Sequence, residues 1–186
     1  RNIEKMGLTT SPMAELFFDD CAVPCESMLG REGQGAAIFN HSMAWERSCI
    51  LGSTVGAMER QLDNCVAYVK TRHQFGKPIG SFQLVAGKIA EMKVRLETAR
   101  LLLYRAAWAH SRGDSNALEG AIAKLYISEA SVQSALDAIQ LHGGYGYMKE
   151  FDSERELRDA IGGRLYSGTP EILKLIIARN LGLASQ

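Results

Sequence analysis

The sequence has no excess of charge of either sign. Lys and Arg together number 21, Asp and Glu also number 21, and the formal net charge is zero. Proteins that bind nucleic acid or acidic membranes without sequence preference carry a surplus of basic residues. The composition therefore argues against nucleic acid as a partner.

The chain also lacks a long uninterrupted apolar run. A transmembrane helix needs about 18 or more apolar residues in succession, and no stretch of this sequence reaches that length. Residues 1–5 contain no apolar segment of the kind that a secretory signal peptide needs. We therefore expect no membrane span, and a location in the bacterial cytoplasm or, in a eukaryote, the mitochondrial matrix.

Cysteine and histidine are scarce, with four of each in 186 residues. Cys21 and Cys25 have a spacing that metal sites use, but no second pair of Cys or His residues lies nearby in the sequence. Cys49 and Cys65 fall within a predicted helix. Four reduced cysteines in a cytosolic protein are the simpler interpretation, and we predict no metal site.

Helical periodicity, in contrast, runs through most of the chain. Long helices are predicted at about 36–71, 81–111 (with Ser81 as N-cap) and 115–142, because apolar residues recur there every three or four positions. These apolar seams are Leu51, Val55, Met58, Leu62, Cys65 and Val69; then Val85, Ile89, Met92, Leu96, Ala99, Leu103 and Ala106; then Leu118, Ile122, Leu125, Val132, Leu136 and Ile139.

Two shorter helices, at about 153–162 and 170–183, complete the predicted fold. Thr169, Pro170 and Glu171 form a good helix start, with a hydroxyl cap, a proline at the first position and a carboxylate in the first turn. Three long amphipathic helices with short connections indicate an all-α protein, an antiparallel bundle of the four-helix type.

Residues 1–30 differ from the helical part. Residues 14–18 predict a strand and residues 21–24 a short extended segment. Two short strands do not form a stable sheet alone. We therefore interpret residues 1–30 as the tail of a β-domain whose remainder is absent, and residues 31–186 as the helical domain.

Glu46 is the first candidate for chemistry. The residues three and four positions away are uncharged: Ser42, Met43, Cys49 and Ile50. A carboxylate on such an apolar helix face is suited to general-base catalysis. A structural ion pair or a solvated surface glutamate would use the same residue.

The turn at 72–79, Arg-His-Gln-Phe-Gly-Lys-Pro-Ile, is a second candidate site. Arg72, Gln74 and Lys77 supply hydrogen-bond donors, and Gln83 follows near the start of the second helix, where free N–H groups favour anions. The set suits a phosphate or pyrophosphate, and a polar turn between helices would also fit.

Glycines mark two further helix ends. Gly143, Gly144 and Gly146 allow close approach of a ligand or of another chain, and Gly168 precedes the predicted helix start at Thr169. Ordinary helix capping accounts for both segments equally well.

These segments, in this order, resemble the C-terminal part of the acyl-CoA dehydrogenase family. The matching residues are Arg72, Phe75, Gly76, Lys77, Ile79 and Gln83, then Gln140, Gly143, Gly144 and Gly146, then Arg158, Asp159, Gly168, Thr169 and Ile172. Residues 5–8 through 23–24 resemble the last strands of the family's central β-domain. The resemblance implies an FAD cofactor, an acyl thioester substrate, a homodimer or homotetramer, and electron-transfer flavoprotein or oxygen as the electron acceptor.

The resemblance also implies individual roles. The residues expected to contact the FAD of a neighbouring subunit are Arg72, Gln74, Phe75, Gln83, Gln140, Gly143 and Gly144. Thr169 and Glu171 are expected to contact the subunit's own FAD. Ala44, Trp45 and Arg47 match a stretch that lines the substrate.

One departure from the family pattern selects the base. Most members carry the catalytic glutamate directly before the Gly-Thr pair, where this chain has Ser167. A minority, similar to isovaleryl- and long-chain acyl-CoA dehydrogenases, carry it on the first long helix, where Glu46 stands. The resemblance thus implies that Glu46 removes the α-proton while FAD accepts a hydride from the β-carbon.

Three functions stay open at this point. Dehydrogenation of an acyl-CoA is the first expectation, and dehydrogenation of an acyl or aminoacyl group tethered to a carrier protein is the alternative. A non-catalytic helical module for oligomer assembly is a third possibility. The presence of Arg72, Gln83, Gly143 and Gly144 argues against that module, since a scaffold has no use for them.

Overall fold

The computed structural model describes residues 1–113 and 117–183. Within them the chain forms the all-α fold that the periodicity predicts. The helices are α1 (Gly35–Cys49), α2 (Gly52–Thr71), α3 (Gln83–Ser111), α4 (Ala117–His142), α5 (Asp152–Gly162) and α6 (Pro170–Asn180). No helix in this part of the chain is long and apolar enough to cross a membrane. The start of the third predicted helix, at 115–116, lies outside the described residues.

The packing centres on α4, which contacts the other five helices. Its buried face consists mainly of small residues: Gly120, Ala121, Ala123, Lys124, Ile127, Ser128, Ala130, Ser131, Ser134, Ala135, Asp137, Ala138 and Leu141. The seam predicted for this helix is wrong, since Leu118, Ile122, Leu125, Val132 and Ile139 are only partly buried and Leu136 is exposed. A helix enclosed by neighbours on several sides has room for small side chains.

The seams of α2 and α3 follow the predicted spacing. Their fully buried members are Val55, Met58, Leu62, Cys65 and Val69 in α2, and Met92, Leu96, Ala99 and Ala106 in α3. Burial raises the pKa of the Cys65 thiol to about 12, so this residue acts as a neutral core side chain. Lys88 and Arg95 of α3 both form ion pairs with Asp137 of α4.

The single helix predicted at 36–71 is wrong, because the chain turns at residues 50–51 between α1 and α2. Leu51 is fully buried at this turn, and the Ser53 hydroxyl donates to the Ile50 carbonyl over 3.2 Å. A serine hydroxyl of this kind competes with helical hydrogen bonds. The break places the end of α1 shortly after Glu46.

Ser81 is not the N-cap of α3. It belongs to a short 3-10 helix, Ile79–Ser81, and its hydroxyl donates to the Pro78 carbonyl over 2.5 Å. Phe82 takes the cap position without a side-chain hydrogen bond, and α3 begins at Gln83.

The strand predicted at 14–18 does not form. Ala14 makes one isolated β-bridge with Asn2, while Leu16, Phe17 and Phe18 are 77%, 77% and 79% exposed. Residues 1–3 pair only with the start of this segment, where the Ile3 N–H donates to the Met13 carbonyl and the Glu15 N–H to the Arg1 carbonyl. A strand needs such partners along its length, and no other described segment forms backbone hydrogen bonds with residues 16–18.

Residues 6–8, near the start of the chain, pack against α5. The Leu8 N–H donates to Asp159 Oδ1 over 2.6 Å, and Arg158 Nη1 donates to the Met6 carbonyl over 2.9 Å. A Cβ atom on Gly7 would lie 2.4 Å from the Arg158 carbonyl oxygen, so a side chain at this position would clash. Two of the segments that carry the family resemblance therefore contact each other.

Candidate active site and cofactor pocket

Glu46 of α1 lies against the loop that joins α5 to α6. The Ser167 hydroxyl donates a hydrogen bond to Glu46 Oε1, although the two residues are 121 positions apart in the sequence. Ser167 and the following Gly168 have φ angles of 56° and 108°. A non-glycine residue adopts this left-handed conformation only at a cost, which the surrounding structure must offset. The contact joins the two positions at which the resemblance places a catalytic carboxylate.

Two cations also bind this loop through its backbone carbonyls. Arg47 Nε donates to the Ser167 carbonyl over 3.0 Å, and Lys124 Nζ donates to the carbonyls of Gly163 and Gly168, each over 2.7 Å. The prediction that Glu46 has only uncharged neighbours is therefore wrong in the folded protein. Its sequence neighbours are uncharged, but α4 brings a lysine towards it.

Burial perturbs both cations. Lys124 is fully buried, and burial, together with the nearby Arg47 charge, lowers its pKa to about 8, against the opposing effect of Glu46. Burial also lowers the pKa of Arg47 from its usual value. Both groups still donate to backbone carbonyls, which a buried cation requires.

The remaining residues predicted for this end lie nearby in the sequence and on the same elements. Trp45 is half-exposed, with its ring centroid 3.7 Å from that of His110 in α3. Ala44 is partly buried. Thr169 directly precedes α6, and the pKa of Glu171 is lowered by a hydrogen bond to its own backbone N–H and then by one to the Thr169 hydroxyl.

A hairpin follows α2 at the far side of the bundle. Its strands β1 (His73–Gln74) and β2 (Lys77–Pro78) are antiparallel and joined by Phe75 and Gly76. These two residues have φ angles of 52° and 77°, the pair of positive values that a tight two-residue hairpin turn requires. The turn presents the Phe75 side chain 90% exposed.

The hairpin, the start of α3 and the end of α4 enclose a pocket of about 690 Å³. Six of the residues predicted to contact a cofactor line it: Arg72, Gln74, Phe75, Gln140, Gly143 and Gly144. Gln83 is exposed at the first position of α3, directly after the lining residue Phe82. The structure thus brings together segments that are about 70 residues apart in the chain.

Arg72 carries a positive charge into this pocket. The Arg72 guanidinium lies 5.8 Å from the centre of the Tyr145 ring, and within residues 1–113 and 117–183 it makes no ion pair with a carboxylate. Lys77 Nζ similarly lies 4.4 Å from the centre of the Phe82 ring. A pocket with a guanidinium held over an aromatic ring and no internal anion is suited to an external phosphate.

The three glycines after α4 serve different purposes. Gly143 has a φ of 61° and follows the last residue of the helix. A Cβ atom on Gly146 would lie 2.5 Å from the Ile139 carbonyl oxygen, so Gly146 permits close packing inside the protein. A Cβ atom on Gly144 would meet open space, so this residue leaves the pocket wall open to a ligand.

The two sites lie at opposite ends of α4. Lys124, next to Glu46, and Gln140, in the pocket, are sixteen residues apart in this helix. At 1.5 Å per residue they are separated by about 24 Å.

Sequence reasoning missed Lys124. It is the one charged residue between Glu119 and Glu129, in a run of small and apolar residues that becomes the buried face of α4. An isolated lysine in such a run was the available signal. Among the described residues, no three metal-ligating side chains form a group that could hold a metal ion.

A family model for the C-terminal domain of acyl-CoA dehydrogenase matches residues 33–182. The chain therefore belongs to the acyl-CoA dehydrogenase family. The helical fold, the Arg72 hairpin and the glycines after α4 are the features that the sequence resemblance had indicated.

Individual relatives differ in what they are named for. The chain is 48% identical over 181 residues to the L-prolyl-[peptidyl-carrier protein] dehydrogenase of Pseudomonas fluorescens. The aligned residues make up 97% of this chain and 48% of that protein. The chain is 44% identical over 177 residues to an acyl-CoA dehydrogenase of Bacillus subtilis, covering 95% and 47%. The crystal structure of the prolyl acyl carrier protein oxidase AnaB matches with a TM-score of 0.95 and 52% identity, covering 98% and 48%. The chain thus spans about half the length of these relatives.

Proposed function

We propose that the protein containing this chain is an FAD-dependent dehydrogenase of thioesters, with Glu46 as its general base. The observation that carries this proposal is the hydrogen bond between Glu46 and Ser167. Ser167 occupies the position at which most of the family carries its catalytic glutamate, so a carboxylate on α1 reaches the same place. Glu46 accepts the α-proton of the substrate, and the bound flavin supplies the acceptor for the hydride from the β-carbon.

The other residues at this end position the base. The Ser167 hydroxyl fixes the orientation of the Glu46 carboxylate, while Arg47 holds the Ser167 backbone. Ala44 and Trp45, on the same turn of α1, line the substrate. Thr169 and Glu171 hold the flavin of the same subunit through the open first turn of α6.

The residues of the far pocket fit the phosphate groups of a second FAD. Arg72 and Gln74 supply donors, Gln83 extends them along the first turn of α3, and Gly144 leaves room for close approach. The exposed Phe75 at the tip of the hairpin gives an apolar contact for the same cofactor. Because Gln140 in this pocket lies about 24 Å along α4 from Lys124 at the Glu46 end, we assign the pocket to the FAD of a neighbouring subunit, which requires a homodimer or homotetramer.

For the substrate we favour a prolyl group carried as a thioester on a carrier protein. The two relatives named for prolyl carrier substrates share 48% and 52% identity with this chain, against 44% for the acyl-CoA dehydrogenase of B. subtilis. This order reverses the first expectation from the sequence. An acyl-CoA is the second candidate, because the 44% relative bears that name.

We also propose that residues 1–30 form the end of a β-domain and residues 31–186 the helical domain. The large exposure of Leu16, Phe17 and Phe18 supports this division, because three adjacent apolar side chains favour cover by another part of the protein. We place the protein in the bacterial cytoplasm or, for a eukaryotic host, in the mitochondrial matrix.

The test follows flavin absorbance anaerobically after mixing the intact flavoprotein with a prolyl thioester on a carrier protein, or with an acyl-CoA. Bleaching by the prolyl thioester supports the favoured substrate, and bleaching by acyl-CoA alone selects the second candidate. An unchanged flavin with both substrates would refute the dehydrogenase proposal. Subsequent addition of oxygen or of electron-transfer flavoprotein identifies the electron acceptor.

A further inference from the structure

Lys124 is completely buried, and within residues 1–113 and 117–183 no carboxylate forms a salt bridge with it. Its ammonium group instead donates to two backbone carbonyls, those of Gly163 and Gly168, at 2.7 Å each. These carbonyls lie at the two ends of the segment that contains Ser167. Lys124 thus joins the two ends of the segment 163–168 between α5 and α6. We call these two hydrogen bonds, from Lys124 Nζ to the carbonyls of Gly163 and Gly168, the clamp.

The conformation of the clamped segment explains why a clamp is needed. Ser167 and Gly168 both have positive φ angles, and Ser167 carries a Cβ atom that disfavours this conformation. Local hydrogen bonds stabilise the first part of the segment, where the N–H groups of Leu165 and Tyr166 donate to the Gly162 carbonyl. At its second part, the donors to the carbonyls of residues 167 and 168 are the side chains of Arg47 and Lys124.

We propose that Lys124 is a positioning residue for the base: by holding the carbonyls of Gly163 and Gly168, it keeps the Ser167 hydroxyl on the Glu46 carboxylate. This inference rests on the proposed role of Glu46. Without the ammonium group, one buried and one partly buried carbonyl would lose this donor, and the loop would relax towards a conformation that satisfies them. Ser167 would then leave its strained conformation and release the carboxylate.

The charge of Lys124 makes the clamp sensitive to pH. The charged and titratable groups that act on it are Glu46 and Arg47 of α1 and Tyr166 of the loop, whose ring centre lies 5.7 Å from Nζ. Burial raises the pKa of Tyr166, so the phenol stays neutral when the lysine titrates at about 8. A neutral amine is a weaker donor to the two carbonyls, so the clamp loosens as the pH rises past this value.

The test compares Lys124→Met with Lys88→Met in the intact flavoprotein. Lys88 pairs with Asp137, thirteen residues further along α4, which is about 20 Å away. Amide hydrogen exchange of residues 163–169 is the readout that does not depend on activity. We expect faster exchange there in Lys124→Met alone, and a limiting rate of flavin reduction lower by about 2- to 10-fold, the loss expected when the Ser167 hydroxyl no longer orients Glu46, with little change in half-saturating substrate. Equal exchange and equal rates in the two variants would overturn the proposal.

Wild-type protein supplies a second measurement if Lys124→Met does not fold. Between pH 7 and 9 we expect exchange at residues 163–169 to accelerate beyond the intrinsic effect of pH, relative to peptides of α2, and the limiting reduction rate to fall. A loop that stays equally protected across this range would contradict the clamp. If exchange responds as expected but no thioester reduces the flavin of any preparation, the clamp stands and the proposed reaction is wrong.

Discussion

At the Lys124 end of α4, polar side chains are partly or fully buried and hydrogen-bond to one another or to the same loop, whereas at the Gln140 end they are exposed. Glu46, Ser167, Arg47 and Lys124 form a connected set of hydrogen bonds around one loop. Among the described residues, the Arg72 guanidinium lies over the Tyr145 ring and makes no ion pair. The first arrangement holds the Glu46 carboxylate in place, which its proposed role as a general base would require. The second leaves binding capacity for a group that comes from outside.

The same contrast extends to the glycines. Gly168, at the first end, faces the Arg47 guanidinium, with Nη2 3.5 Å from where a Cβ atom would lie. Gly144, at the second end, faces nothing within 4 Å. Gly168 thus packs within the loop that carries Ser167, whereas Gly144 exposes its backbone at the pocket wall.

Replacing Arg72 with Ala should have the largest effect on flavin binding at the Gln140 end of α4. The loss of a charge-assisted partner should weaken FAD retention by about 1.5–3 kcal/mol, while the melting temperature stays nearly unchanged because Arg72 makes few packing contacts. Dialysis followed by flavin absorbance measures retention, and Arg155→Ala on the exposed face of α5 serves as control. A variant that keeps its flavin but melts much earlier would show that the hairpin is structural.

Replacing Gly146 and Gly144 one at a time distinguishes an effect on stability from an effect on flavin binding at the Gln140 end of α4. Gly146→Ala should lower the free energy of unfolding by about 1–3 kcal/mol, because its Cβ atom would collide with the Ile139 backbone. Gly144→Ala should leave stability nearly unchanged and weaken flavin retention instead. Urea denaturation of both variants measures the difference, and equal destabilisation would remove the distinction drawn between the two glycines.

Replacing Ser167 with Ala should have the smallest effect. It removes the hydroxyl from Glu46 but leaves Arg47 and Lys124 on the loop backbone, so flavin reduction should slow about 2- to 10-fold. Ser167→Gly also relieves the left-handed backbone and separates that strain from the hydrogen bond. Stopped-flow rates measure both variants, and a wild-type rate in each would mean that the hydroxyl does not orient the base.

The parts of the molecule that the sequence predicted are those set by local spacing. The seam from Val55 to Val69 depends only on the period of one helix, and the turn at 72–79 is a continuous motif, although its two short strands were not predicted. The break at 50–51 was missed because Leu51 keeps the spacing of the seam. Its signal was Gly52 and Ser53, both weak helix formers, directly after the turn.

The rest depends on contacts across the fold. Spacing does not show that Ser167 and Glu46 touch, and only the family resemblance related the two positions. The buried face of α4 was mispredicted because large apolar residues define a seam in a helix with few neighbours, whereas this helix has five. Lys124 was missed because a lysine is rarely fully buried, so its position in the sequence did not indicate an interior residue.

The role of Glu46 is tested most directly by anaerobic stopped-flow reduction of the flavin in Glu46→Gln, with Glu59→Gln as the matched control. Glu59 pairs with Arg100 on the surface, whereas glutamine at position 46 keeps the shape of the side chain but cannot accept the α-proton. We expect the rate to fall about 10²- to 10⁴-fold, with unchanged flavin content and melting temperature. A near wild-type rate in Glu46→Gln would show that the base lies elsewhere.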